Sequence, residues 1–304
     1  MDDIKLLVTL DENYLPHLQV LLTSIHASNP GERMTLYLVH SGIPKEKLST
    51  LEAQCALCGM ELRPVTVDSE LFEGAPVTKQ YPQEMYYRLL AAQLLPEGLH
   101  RVLYLDPDTL VINPLRPLWE TDLGGNIFAA ASHKGKTELV SGINQVRLGT
   151  ESKYFNSGVL LIDLDAARRE VVPGEIFAYV ERHARELVLP DQDVLNALYG
   201  ERTLELDDAV WNYDARNFNT YLLRSGGECG LDWVLGHTAI LHFCGKTKPW
   251  QPGYLHRFGA LYKTTSSSPA SRACTWASED AHNLKKHRTG RQPKKAAALF
   301  VIAV

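Results

Sequence analysis

The chain has 304 residues, 45% hydrophobic and 22% charged, an ordinary globular composition long enough for one large α/β domain or two modest ones. No apolar run reaches the roughly 18–20 residues that a membrane-crossing helix needs, and Met1-Asp2-Asp3-Ile4 opens without the basic and apolar regions of a secretory leader. The net charge of −5 splits into +5 over residues 264–304 and −10 over the rest; an acidic body offers no basic face to phosphates, which excludes a nucleic-acid-binding core.

Ile4 to Leu10 is a continuous apolar stretch with one Lys and reads as a buried parallel strand. Asp11-Glu12-Asn13-Tyr14 follows at once. Leu15, Leu18, Leu21, Leu22 and Ile25 then recur at helical spacing until Asn29-Pro30-Gly31. A strand over Met34 to Val39, a helix opened by Pro44 and a strand over Leu62 to Val67 complete a β-α-β-α-β run, the pattern of a parallel sheet with right-handed crossovers. No Gly-x-Gly-x-x-Gly follows the first strand, so the dinucleotide fingerprint is absent. Cys55-x-x-Cys58 has no partner pair for zinc, and its spacing fits one buried helix face. The five cysteines are an odd number without framework spacing, which fits a reducing cytosol.

Residues 68–82 are loop-like, and Gln83 to Leu95 is predicted to be a helix carrying Arg88 among apolar neighbours. Arg88 either snorkels to the surface or faces an acidic crevice and holds an anion. Arg101 to Asn113 is the centre of the chain: two apolar runs, Val102 to Leu105 and Leu110 to Ile112, flank Asp106-Pro107-Asp108. Residues i and i+2 of an extended chain share a side, with Cα atoms roughly 6.5–7 Å apart. Two carboxylates so placed repel each other unless a cation lies between them, and hard oxygen ligands suit Mg²⁺ or Mn²⁺. A surface turn with Pro107 at its corner accounts for the stretch equally well.

Ile127 to Ala131 reads as a strand, and residues 134–152 as a loop over the site. Tyr154 to Asp163 is a buried strand interrupted at Asn156-Ser157-Gly158, where Gly marks a bulge or the close approach of a ligand. Pro173 to Leu187 is helical, and Pro190-Asp191-Gln192-Asp193 opens another helix with Asp191 placed as N-cap. Ala239 to Phe243 is a last strand; His242 ends it, and Gly245, Lys248, Pro249 and Trp250 follow. In parallel sheets ligands bind beyond the carboxyl ends of the strands, so Asp11 and Asn13 after the first strand can share one crevice with Asp106 and Asp108. The equally simple reading of Asp11 is a cap for the first helix. Residues 264–304 turn Ser/Thr-rich, then basic, then apolar for nine residues; they are predicted to be a disordered tail, either inert or in contact with an anionic membrane surface.

With Asp11, Asn13, Asp106-Pro107-Asp108, Tyr-Phe-Asn-Ser-Gly, Asp-Gln-Asp and His-Phe-Cys-Gly-x-x-Lys-Pro-Trp in this order, residues 4–262 resemble glycosyltransferase family 8. These are retaining, UDP-sugar-dependent enzymes of the bacterial lipopolysaccharide and lipooligosaccharide galactosyltransferase and glucosyltransferase type. The resemblance implies an α/β GT-A fold over residues 1–263, a single Rossmann-like mixed sheet flanked by helices, and a cytoplasmic enzyme that could sit at the inner face of a membrane through its tail. It implies that Asp106, Asp108 and His242 hold Mn²⁺, with Mg²⁺ the other candidate. Asp11 and Asn13 would contact the nucleotide, Gly245 and Lys248 the diphosphate, and Arg88, Asn156, Asp191 and Gln192 the surroundings of the transferred sugar. The donor would be UDP-galactose or UDP-glucose and the acceptor a glycan or glycolipid. Two departures are visible: the family commonly has an acid after the strand that ends at Ala131, and here Ser132-His133-Lys134 stands there; and family members often end in a basic, aromatic membrane-binding segment, whereas this tail shares the basic charge but has only Trp276 and Phe300 as aromatics.

Retention asks either for a nucleophile on the sugar face opposite UDP or for attack from the face of departure. Gln192 is too weak a base for the first role, which favours front-face attack; Asp191 is the alternative, as nucleophile of a double displacement. A neutral imidazole is required of a ligand, so metal affinity is expected to weaken below about pH 6. Two readings of other classes stand beside this one: a UDP-sugar-binding protein without transferase activity, and a metal-dependent phosphoesterase, which would want a denser cluster of acids and histidines.

Overall fold

The structure, a computed structural model, describes residues 2–67, 72, 75, 83–132 and 144–268, apart from the Met85 side chain. Its strands are β1 (Ile4–Thr9), β2 (Met34–His40), β3 (Met60–Thr66), β4 (Arg101–Leu105), β5 (Thr109–Val111), β6 (Phe128–Ala131), β7 (Val159–Asp163), β8 (Thr203–Leu206), β9 (Tyr213–Asp214) and β10 (Ile240–His242). Seven form one sheet in the order β3-β2-β1-β4-β7-β6-β8, and three form a small second sheet, β5-β10-β9. The large sheet is parallel except for β7, which runs against both β4 and β6.

Alternation along the central strands explains the layering. Leu6 and Leu103 and Leu105 face one apolar layer, whereas Leu7, Val102 and Tyr104 face the other. A strand covered on both sides has no polar face to show, which is why β1 and β4 read as unbroken apolar runs. The helix Leu15–Ser28 buries Leu18, Leu21, Leu22 and Ile25 on the first layer. A third apolar group, including Tyr213, Leu241, Phe243, Tyr254 and Tyr262, packs about the small sheet. The last described helix, Gly259–Ser266, ends three residues beyond position 263. Residues 269–304, most of the predicted tail, lie outside the described residues. So does most of the loop 68–82 and the start of the predicted loop over the site.

Two features place the site. The chain leaves β1 towards β2 on one side, while β4 lies on the other, so the ends of β1 and β4 flank the switch point of the sheet. Because β7 is reversed, its first residues arrive where β4 ends: Leu105 pairs with Val159, and the Asp106 N–H donates to Gly158 O at 2.8 Å.

Three sequence expectations change. The helix expected over Gln83 to Leu95 is a 3-10 turn, Gln83–Tyr86, and a short helix, Ala91–Leu94. Tyr86, Tyr87, Leu89 and Leu90 are all buried; a regular helix would spread these neighbours round its circumference and bury only some. The strand expected from Tyr154 begins only at Val159. Before it the backbone is satisfied by a side chain: Asn196 accepts from Phe155 N–H at 2.6 Å and donates to Phe155 O at 2.8 Å. Residues 144–148, expected to be loop, are helical.

Asp193, on the helix Pro190–Tyr199, ties that segment to its own helix. It is wholly buried and receives both Arg147 guanidinium nitrogens at 2.8 and 2.7 Å, the Tyr154 hydroxyl at 2.5 Å, and the N–H groups of Val188 and Leu189 at 2.6 and 3.1 Å. Burial alone would push its carboxyl up, but Arg147, Tyr154 and the two amides hold it below the usual carboxylate range. A depressed carboxyl contributes stability above its unfolded value and loses it as pH falls. Asp193→Asn is therefore expected to lower unfolding stability by about 3 kcal/mol in urea titrations at pH 7. It should also shrink the loss of stability seen below about pH 4.

Candidate metal and sugar-nucleotide site

Asp106 lies on the turn between β4 and β5, Asp108 just before β5, and His242 at the end of β10, which pairs antiparallel with β5. One ligand atom from each of the three falls within 4.8 Å of the others. His242 Nε2 is 3.3 Å from Asp108 Oδ1 and 3.8 Å from Asp106 Oδ2. Asp106-Pro107-Asp108 is a turn, closed by Thr109 N–H donating to Asp106 O at 3.1 Å, but it is not a surface turn: Asp108 is buried, and its main-chain oxygen accepts from Phe243 N–H at 3.0 Å.

Cations brace the acids. Arg88 is 3.0 Å from Asp106 Oδ1 and 3.1 Å from Asp191 Oδ2, lies over the Tyr104 ring at 4.7 Å, and donates to Ser157 O at 3.3 Å. It thus faces the acidic crevice and does not snorkel. Burial alone would lower its pKa; Asp106, Tyr104 and Asp191 override that and keep it charged. Tyr104, whose hydroxyl burial holds far up in the neutral form, donates to Asp106 Oδ1 at 2.5 Å. Lys248 Nζ donates to Asp108 Oδ2 and, at 3.0 Å, to Phe243 O. The Lys248 main chain is held by Gln251: Lys248 N–H donates to Gln251 Oε1 at 2.9 Å, and Gln251 N–H donates to Lys248 O at 3.0 Å.

The remaining expected residues fall into two groups. Asn156, Asp191 and Gln192 join the cluster: Asn156 Nδ2 donates to Gln192 Oε1 at 2.9 Å, and Ser157 Oγ donates to Asp191 Oδ2 at 2.8 Å. Asp191 is not the N-cap of its helix. Leu189 holds that position, Pro190 opens the helix, and the Asp191 carboxylate is spent on Arg88 and Ser157. Asp11 and Asn13 bond to one another on an exposed 3-10 turn after β1, Asn13 N–H to Asp11 Oδ1 at 2.8 Å and Asn13 Nδ2 to Asp11 Oδ2 at 3.2 Å. The cap reading of Asp11 holds for this turn. Gly245 has φ +86°, and a Cβ there would lie 2.3 Å from an Arg216 guanidinium nitrogen. Ser132, where the family commonly has an acid, donates to Glu205 Oε1 of the neighbouring strand β8 at 2.6 Å.

Tyr104, Ser157 and Asn212 were missed by sequence reasoning. Ser157 sits inside a motif already singled out, and Tyr104 precedes Asp106 by two residues on the same side of β4. Asn212 carries no sequence signal. Arg216, Phe218, Asn219, His256 and Arg257 line a separate cleft of about 420 Å³ that contains none of the three clustered ligands.

The residues present fit a divalent cation. Two carboxylates and one imidazole are a suitable hard set for Mn²⁺ or Mg²⁺. Gly158 leaves the room they need: a Cβ there would lie 2.3 Å from His242 Cε1 and 2.7 Å from Asp106 Oδ2. Burial by itself would raise the Asp108 carboxyl, but His242 and Lys248 hold it well below the usual range. Burial by itself would lower the His242 imidazole; the Cys244 sulfur and Asp108 beside it override this and raise it well above the ordinary value. Burial also pushes the Cys244 thiol up, so near pH 7 it is neutral and Asp108 supplies the attraction.

The chain was compared with known proteins. The family described as Glycosyl transferase family 8 matches residues 5–252. "General stress protein A" of Bacillus subtilis is 30% identical over 260 residues, covering 83% of this chain and 89% of that protein. "Lipopolysaccharide 1,3-galactosyltransferase" of Salmonella typhimurium is 23% identical over 320 residues, covering 99% and 90%. The crystal structure of galactosyltransferase LgtC with donor and acceptor sugar analogs superposes with a TM-score of 0.71 at 24% identity, covering 89% of this chain and all of that one. The fold is thus the GT-A fold.

Two outcomes are expected. Gly158→Ala should leave the protein folded while lowering Mn²⁺ affinity by about tenfold or more, read from the free Mn²⁺ resonance signal. A cation must displace the proton that Asp108 keeps on His242. Metal affinity should therefore fall as pH is lowered, starting above the ordinary histidine value of about 6.5 and not at about 6. Titration calorimetry in buffers of different ionisation heat should register the released proton, and His242→Ala should abolish that release.

Proposed function

The chain belongs to glycosyltransferase family 8, and from that premise we propose that it transfers galactose or glucose from a UDP-sugar to a glycan or glycolipid acceptor with retention at the anomeric carbon. The observation that carries this reading is the convergence of Asp106, Asp108 and His242 beside Lys248, with Gln192 and Asp191 joined to the same cluster through Asn156 and Arg88. The lipopolysaccharide transferases among its relatives support a bacterial surface glycan as the acceptor class. A single group of possible metal ligands among the described residues favours this reading over a phosphoesterase with two metals.

Asp106, Asp108 and His242 would hold Mn²⁺, with Mg²⁺ second, and the ion when bound supplies positive charge to the diphosphate that departs from the sugar. Lys248 adds a second positive charge there. Its ammonium rests on Asp108 and Phe243 O, within reach of whatever the aspartates hold. A group that meets charge as it develops lowers the barrier most. Gly245 leaves main chain bare beside Arg216, and Asp11 and Asn13 stand at the end of β1, where the nucleotide would lie. Asp191 is tied to Arg88 and Ser157, which suits a carboxylate that orients its surroundings more than one that attacks. Gln192 faces the cluster with a neutral amide, whose dipole can stabilise an oxocarbenium-like state. Front-face attack by the acceptor follows from both.

The same proposal divides the chain into a catalytic domain over residues 1–263 and a basic tail over 264–304 that could rest on an anionic membrane surface. No described helix is long and apolar enough to cross a membrane. A cytoplasmic location, at the inner face of the membrane, is part of this reading.

Incubation with UDP-galactose or UDP-glucose and Mn²⁺ should release UDP slowly without acceptor, and the true donor should raise the melting temperature. A UDP-sugar-binding protein without activity would show the second effect and not the first. Lys248→Ala should lower turnover by about a hundredfold or more. Asp191→Asn should retain transfer within about a hundredfold of the unaltered protein, with the configuration kept; trapping of a glycosyl ester on Asp191 would instead establish double displacement.

A further inference from the structure

His242 and Gln192 are joined by a continuous line of hydrogen bonds. Asn212 Oδ1 lies 2.9 Å from His242 Nδ1. Asn212 Nδ2 donates to Asn156 Oδ1 at 2.8 Å, and Asn156 Nδ2 donates to Gln192 Oε1 at 2.9 Å. At the far end, Gln192 also hydrogen-bonds the Tyr154 hydroxyl, which donates to buried Asp193. Asn212 is completely buried, and His242 and Gln192 nearly so.

The polarity of this line is set by one main-chain group. Gly158 N–H donates to Asn156 Oδ1 at 3.0 Å, and an N–H can only donate. The Asn156 oxygen must therefore face Gly158 and Asn212, and its NH₂ must face Gln192. Asn212 then has to present its own NH₂ to Asn156 and its oxygen to His242. An amide oxygen only accepts, so His242 must carry a proton on Nδ1, and Nε2 is left for the side of Asp106 and Asp108. Reversing any member would set donor against donor or acceptor against acceptor in a buried place, which is costly. Gly158 thus performs two tasks: it lacks the Cβ that would strike His242 and Asp106, and its amide orients the line that fixes both His242 and Gln192.

We propose that Asn212 is a positioning residue that couples the two halves of the site, holding the Nε2 face of His242 towards the metal position and, through Asn156, holding the Gln192 amide towards the sugar. It touches neither metal nor sugar. The inference rests on the metal reading of Asp106, Asp108 and His242, and on Gln192 lying at the reacting sugar.

Two variants separate the halves. Asn212→Ala removes both links. Asn212→Asp is of equal size and keeps an acceptor for His242 Nδ1–H, but a carboxylate has no proton to donate to Asn156. The free Mn²⁺ resonance signal reads metal affinity with and without UDP, and UDP release from the donor reads turnover. Asn212→Ala is expected to lose about 10- to 100-fold in Mn²⁺ affinity. Asn212→Asp is expected to keep Mn²⁺ affinity within about twofold while kcat falls about tenfold or more at little-changed donor KM. A structural role alone would move both readouts together with the melting temperature. Mn²⁺ affinity within twofold of the unaltered protein in Asn212→Ala would overturn the proposal, as would unchanged turnover in Asn212→Asp. If the unaltered protein itself takes up no Mn²⁺ with UDP, the metal reading has failed and the coupling falls with it. Uptake in the unaltered protein with no effect of either variant refutes the coupling alone.

Discussion

Like charge held at short range inside a protein is the constraint on which this site is built. With ligand atoms of Asp106 and Asp108 within 4.8 Å, two carboxylates repel by about 3.5 kcal/mol or more even at an effective dielectric of 20. Arg88 answers Asp106 from one side and Lys248 answers Asp108 from the other. Each brace is itself fixed: Arg88 by Asp191, Ser157 and the Tyr104 ring, Lys248 by Phe243 O and, at its main chain, by Gln251. The reversal of β7 in an otherwise parallel sheet belongs to the same arrangement. It brings Asn156, Ser157 and Gly158 to the end of β4, where a parallel strand would have delivered its far end.

Much of this was legible in the sequence because covalent spacing carried it. Asp106 and Asp108 are kept close by the single residue between them, although on a turn and not on extended chain, and β1 and β4 announce their burial on both faces by unbroken apolar runs. His242 and Lys248 were legible from a strand end followed by Gly, Lys and Pro-Trp. Fates decided by partners far along the chain were not. Asp191 looks like a helix cap until Arg88, more than a hundred positions earlier, is seen to claim it. Gln83 to Leu95 looks like one helix because its apolar residues are dense, yet density alone does not say that all sides will be covered. Asn212 offers no pattern at all, since a buried amide is explained only by the groups it joins.

Gly158 illustrates how little material a site can depend on. Gly158 stands immediately before β7. Here the absent methyl group is the space in which His242 and Asp106 approach each other, and the amide is a fixed donor in a line of otherwise reversible side chains. Any residue except proline would keep the amide, but only glycine leaves the space without moving a neighbour.

The arrangement of charge also has a consequence for sequence of events. Asp106, Asp108 and Asp191 bring three negative charges, and Arg88 and Lys248 bring two positive ones. With the proton that Asp108 keeps on His242, the cluster before an ion enters carries no net charge, so it offers a free diphosphate no net attraction. With a divalent ion on the aspartates and that proton released, the crevice becomes positive by one. Under the proposed reading, the order of arrival is therefore written into the side chains: either the ion enters first, or ion and nucleotide enter as one complex, and a bare nucleotide finds no net charge to draw it in.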